Sequence, residues 1–221
     1  MAGNRIAQAD PLTQSQRVAR ILAVYARATE DERTEGLYWY RAANTFASGL
    51  SAKYGVTTEQ AAGVIAALSP QTSWERNVPL AEKACRTKRP SGHTGANCAK
   101  ARAILRGKTA PLDTLGGNKV RAFFDNIANP EESQAVTIDR HAYDIAEGVY
   151  TSDASRSQVA NLLRHPVRYA HYAAAYREAA RILNLRPLQV HAVTWVAWRN
   201  LKANATLPFP FAFAYGEEVA A

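Results

Sequence analysis

One carboxylate and one glycine turn carry most of the chemical potential of this chain. In "VTIDRHAYDIA" (136–146) an apolar stub runs into Asp139, then Arg140, His141 and a helix-like stretch. An Asp in front of a helix can cap it by accepting a free backbone amide. The same carboxylate, at the mouth of a cleft, can stabilise an oxocarbenium-like sugar or activate water when an N-glycosidic bond breaks. The two roles are compatible. Gly117 lies 22 positions before Asp139, inside "LGGNK" (115–119). Amides exposed by a turn over Leu115, Gly116, Gly117 and Asn118 can bind a phosphate at the start of the next helix. Lys119 and Arg121 would add positive charge there.

Other candidates have a plainer reading beside the chemical one. His141 either holds a carbonyl or phosphate, or is a structural histidine. Trp39 and Trp74 either stack on a base or belong to the core. Trp195 follows His191 by four residues, one helical face apart. Those two, with Gln189, either meet a base or pack the interior. The five histidines lack ligand spacing, so no metal site is expected, and no cofactor.

Helical spacing dominates the elements that must position these residues. Val18, Ile21, Leu22 and Tyr25 form an amphipathic stripe. A second helix is expected over 36–55, closed by Gly55 in a left-handed cap. "TTEQAAGVIAALSP" (57–70) opens with a capping signal, is apolar all round in its middle, and breaks at Pro70. A helix resumes in "SWERNVPLAEKACR", with Pro79 as a possible kink or restart. The basic loop 86–89 is either solvated or a phosphate contact. Asn97 is expected to cap a short helix ending at Gly107. After the Gly-Gly turn a helix carries Val120, Phe123, Phe124 and Ile127 on one face. Helices follow over "RSQVANLLRH" and "RYAHYAAAYREAARILN", and Pro187 opens the last. Residues 203–221 lose the period, so an extended Pro/aromatic tail is expected. Period-2 strands are absent from the pattern.

The totals limit the function classes. Lys plus Arg is 27 against 19 Asp plus Glu, a formal charge of +8 with pI near 9.7. Such a surface attracts polyanions and speeds their capture, which favours a nucleic-acid partner. Two cysteines are too few for a four-cysteine zinc site or an iron–sulfur cluster. Residues 1–16 are polar and mixed, unlike a secretion signal, and no apolar run approaches the ~20 residues that span a bilayer. A cytoplasmic protein with reduced thiols is expected.

Three segments together resemble the helix-hairpin-helix DNA glycosylases, the superfamily of endonuclease III. "VIAALSPQTSWERNVPLAEKA" (64–84) is similar to the family's buried helix and the loop after it. "NCAKARAILRGKTAPLDTLGGNKVRAFFDNI" (97–127) is similar to its short helix plus hairpin. "VTIDRHAYDIA" is similar to the segment that carries its catalytic Asp. The order agrees, and so does the 22-residue spacing between hairpin glycine and aspartate. The resemblance covers roughly 57–150. The chain also looks like small phage-encoded proteins sharing "SPQTSW" and "DRHA", which would place it in a host cytoplasm. The family's hairpin is Leu-Pro-Gly-X-Gly, and here Lys119 stands at the second glycine. Bifunctional members use a lysine just past the hairpin as a Schiff-base nucleophile. Arg121 occupies that register, and a guanidinium does not attack a sugar carbon.

The resemblance implies an all-α fold, one two-lobed helical domain over 1–202 with a central cleft. It implies a monomeric, monofunctional DNA glycosylase, without iron–sulfur cluster, acting in DNA modification or repair. The substrate would be double-stranded DNA with a modified, damaged or mismatched base. That base leaves the stack, which costs a few kcal/mol, and Gln71 matches the family's gap-filling residue. Asp139 would be the catalytic carboxylate, with Lys119 a second catalytic candidate. Leu115, Gly116, Gly117, Asn118, Arg121, Arg140 and His141 would contact DNA. Trp74, His191 and Trp195 would form the base pocket. Two other readings stay open: a base-hypermodifying enzyme on the same scaffold, and a non-catalytic DNA-binding module.

Overall fold

Reciprocal capping starts the first three helices, in a computed structural model that describes residues 12–204. They are α1 (Gln14–Arg27), α2 (Glu30–Tyr54) and α3 (Thr58–Ala67). Thr13, Thr29 and Thr57 each accept an amide three residues on, and Gln16, Glu32 and Gln60 reach back to the threonine amides. Gly55 ends α2 with φ +62, as its position in the sequence predicts. α4 (Trp74–Thr87) runs through Pro79 without a restart. The ring removes only one donor, on an exposed turn. α5 (Gly95–Leu105) is capped by Thr94, not Asn97; the Asn97 amide is the donor that Thr94 accepts.

The rest are α6 (Pro111–Thr114), α7 (Asn118–Ala128), α8 (Arg140–Glu147), α9 (Arg156–Arg164), α10 (Pro166–Leu183) and α11 (Pro187–Asn204). No strand occurs among the described residues, so the fold is all-α. α11 runs through 203 and 204, where the sequence suggests a tail. The remainder of that stretch lies outside the described residues. Among the described residues no helix is long and apolar enough to cross a membrane.

Buried apolar side chains form two clusters. The first surrounds α3, whose residues Ala61–Ala67 are all buried, as expected for an apolar central helix. It takes Tyr40, Ala43 and Ala47 from α2, Ile104 from α5, and Phe124 and Ile127 from α7. The second joins α1, α8, α10 and α11 through Ile21, Ile145, Tyr176 and Trp198. α2 and α11 make the most extensive helix pairing. Their approach depends on Gly36, where a Cβ would sit 2.4 Å from Val193 Cα. That crossing brings residues of both helices to one cavity.

Candidate active site

Asp139 owes its direction to the short segment before it, which turns at Thr137 through a hydrogen bond from Ile138 N to Val136 O (3.0 Å). Val136 and Ile138 are buried in the second cluster. The Tyr169 hydroxyl donates to Val136 O (2.7 Å) and accepts the Ile138 amide (3.0 Å). Thr137 and Asp139 instead line a cavity of about 290 Å³. Asp139 is also the helix cap the sequence predicts: its Oδ1 accepts the Ala142 amide at 2.9 Å. The far end of α8 is tied down as well. The Glu147 carboxylate takes Arg17 Nε (2.7 Å) and the Tyr172 hydroxyl (2.9 Å), and Arg20 donates to its carbonyl.

Aromatic rings make most of the cavity wall. Trp39 is the centre, with ring centroids 5.0 Å from Trp74, 6.0 Å from Phe123 and 6.1 Å from Trp195. At the rim the Arg199 guanidinium lies over Trp195, 4.5 Å from its centroid. Flat faces and a few polar groups are what a heteroaromatic ligand needs.

Burial pushes the Asp139 carboxyl upward, but the charges facing it, Lys119 first, and the Ala142 amide outweigh it. Its pKa falls below the usual carboxylate value. Asp139 is thus an anion through the neutral range, suited to stabilising positive charge or polarising water rather than donating a proton. His191 is displaced the other way. Burial lowers its pKa from 6.5 to about 4, against the pull of Asp139. An unfolded histidine binds a proton near 6.5, while folded His191 stays neutral until about 4. Its contribution to stability is full above 6.5 and is lost as pH falls toward 4. His191→Asn is expected to flatten the decline of Tm across that window, measured by thermal melts at stepped pH. An unchanged slope would contradict a buried neutral His191.

The cavity gathers Asp139, Lys119, His141, Trp74, His191 and Trp195, with Trp39, from distant parts of the chain. Other predicted residues lie elsewhere. Gly116, Gly117 and Arg121 are exposed, and Asn118 is the first residue of α7, on a turn outside the lining; Gly117 has φ +80. Leu115 is 2% exposed, packs in the first cluster and donates its amide to Pro111 O (2.8 Å), which corrects its place among the phosphate contacts: it has no donor left to offer. Arg140 donates Nη1 to Thr151 O (3.2 Å), which ties it to the loop after α8. Gln189 caps the start of α11 by accepting the Arg186 amide (3.1 Å).

Gln71 is exposed and has φ +57, a left-handed conformation strained for a side chain other than glycine. Its neighbours Ser69 and Thr72 line the cavity. His93 holds this loop, with Nε2 2.9 Å from Thr72 Oγ1 and 3.0 Å from Pro70 O. Gln71→Gly should relieve about 1 kcal/mol of strain and raise Tm by about 2–4 °C, read by calorimetry. A lower Tm would show that the Gln71 side chain stabilises the turn.

Several neighbours carry no signal in a sequence motif, Tyr40, Ser69, Thr72, Ser73 and Thr137 of the lining among them. Asn77 is 2% exposed, lines the cavity and donates Nδ2 to Ile65 O (3.0 Å). A polar residue in the same stripe as Ala81, Ala84 and Cys85 was the signal. Phe123 was read only as part of an apolar face, and Arg199 had no motif. Lys100 Nζ lies 3.4 Å from where a Gly116 Cβ would be, adding a cation to the glycine turn. In the basic loop, Lys88 donates to Tyr54 O, while Lys88, Arg89, Arg102 and Arg106 surround a separate shallow concavity. Among the described residues no three His, Cys, Asp or Glu converge as a metal site. Cys85 and Cys98 are buried free thiols.

No curated protein and no solved structure matches the chain. Residues 4–202 match a family model across most of the chain, and the protein accordingly belongs to the Family of unknown function DUF7178.

Proposed function

We propose that this protein is a DNA glycosylase-type enzyme that flips a modified, damaged or mismatched base into the tryptophan-walled cavity and breaks its N-glycosidic bond. The observation that carries this reading is the convergence of an ionised Asp139 with Lys119 on a cavity walled by Trp39, Trp74 and Trp195. Stacking would hold the extruded base. The Asp139 carboxylate would stabilise the oxocarbenium-like sugar or direct water onto it. The glycine turn, with Lys100 beside it, would grip a backbone phosphate, and the strained Gln71 would fill the vacated stack. The two buried clusters, with Asp139 beside the segment that joins α7 to α8, support a two-lobed arrangement around this cavity. The net charge of +8 supports a duplex partner.

Lys119 rather than Arg121 is the candidate for a Schiff-base lyase step, because Lys119 lines the cavity and Arg121 does not. Incubation with duplexes carrying a panel of altered bases, followed by alkali, tests base release. Strand breaks that vanish in Asp139→Asn are the expected result. Tight binding with every glycosidic bond intact would sink the reading in favour of base modification or simple binding. Borohydride tests the lyase step: a trapped adduct that survives Lys119→Ala would exclude Lys119.

A further inference from the structure

Four hydroxyls that line the cavity are committed as donors to other parts of the protein. The Tyr40 hydroxyl donates to Thr137 Oγ1 (3.0 Å). Ser69 Oγ donates to Ala66 O (2.9 Å), and Thr72 Oγ1 donates to Pro70 O (3.2 Å). The Ser73 hydroxyl is hydrogen-bonded to the Glu75 carboxylate, which accepts only. Four lining hydroxyls thus spend their protons elsewhere.

Among the described lining residues, two buried acceptor positions have no hydrogen-bond partner within the protein: Asn77 Oδ1 and His191 Nε2. The side chains are 2% and 5% exposed. Asn77 Nδ2 is fixed on Ile65 O, which leaves Oδ1 as an acceptor. His191 Nδ1 lies 3.4 Å from the Tyr40 oxygen. That oxygen gives its own proton to Thr137, so it accepts from Nδ1–H. The neutral ring then presents Nε2 as a bare lone pair. A buried acceptor without a partner loses its hydration with nothing in return, so two of them in one cavity point to a ligand that supplies donors.

We infer that the cavity selects bases carrying an exocyclic amino group, of the adenine or cytosine type, through Asn77 Oδ1 and His191 Nε2. This rests on the base-pocket reading above. An amino group offers two N–H donors. A base with a carbonyl at that position, of the hypoxanthine or uracil type, would face the same acceptors with another acceptor. Each lost hydrogen bond of about 1.4 kcal/mol is a tenfold change in affinity.

The test titrates free adenine, cytosine, hypoxanthine and uracil into the full chain, following the fluorescence of the cavity tryptophans. Adenine and cytosine should bind at least about tenfold more tightly than their carbonyl counterparts. His191→Asn keeps a donor near Nδ1 and removes Nε2, and should reduce the preference. Asn77→Leu should reduce it independently, so a folding defect in one variant leaves the other. Equal affinities, a preference for hypoxanthine or uracil, or no binding of adenine and cytosine overturns the inference. The duplex assay separates this from the glycosylase reading. Release of uracil or hypoxanthine without amino-base binding keeps the glycosylase and removes the selectivity. Tight amino-base binding with no base release from any duplex does the reverse.

Discussion

Asp139→Asn should reduce base release by about a hundred- to a thousandfold while leaving Tm within about 2 °C of the parent. The two halves of this result come from two atoms of one side chain. Oδ1 caps α8 through the Ala142 amide, and asparagine supplies an equivalent oxygen to an N-cap. The charge is what asparagine lacks. Lys119 and the Ala142 amide favour the anion, so the carboxylate is present at neutral pH and its loss removes a formed charge. Asp139→Ala should lose activity equally and also the cap, about 1 kcal/mol or about 2–4 °C of Tm. Calorimetry and single-turnover alkali assays on the pair would show it. An Asn variant retaining near-parent rates would reduce Asp139 to a cap.

Gly36→Ala is expected to be the most damaging single methyl in the molecule. The added Cβ would lie 2.4 Å from Val193 Cα and 2.5 Å from Val193 N, and backbone cannot rotate away as a flexible side chain can. α2 and α11 must separate. Overpacking of this kind costs about 3 kcal/mol or more, which is about 6–12 °C of Tm for a chain of this length. The same movement would part Trp39 and Tyr40 on α2 from His191 and Trp195 on α11. The variant should therefore lose ligand-induced fluorescence change even at temperatures where it is folded. Gly49→Ala on the same helix, with nothing within 4 Å of the new methyl, is the control. Equal Tm values for the two would refute the close crossing.

Much of the local structure is legible along the chain because its causes are local. Thr57 and Gln60 cap α3 from three residues apart, Gly55 closes α2 next to its last turn, and the run from Ala61 to Ala67 is too apolar for any place but the core. Asp139 as a cap follows from the same short-range rule. Thr94 displaced Asn97 as the cap of α5 because two polar residues there can each accept an amide, and loop geometry chose between them. Pro79 sits in α4 because an exposed turn tolerates one missing donor.

The cavity is of another kind. Lys119 and Arg121 differ by two positions on a helix, and only the packing of α7 against α2 and α3 puts Lys119 on the wall. Arg140 and Gln189 carry the right chemistry, yet Thr151 O and the Arg186 amide claim them. Asn77 and His191 become acceptors for a ligand only because Ile65 O and Tyr40, 12 and 151 residues away, occupy their other atoms. The sequence by itself determined the helices, their caps and the carboxylate in front of α8, because those depend on neighbours within a turn. The tertiary structure alone decided which side chains face the cavity and which of their hydrogen-bonding atoms remain to be used. That choice depends on the crossing of α2 and α11 and on partners far along the chain.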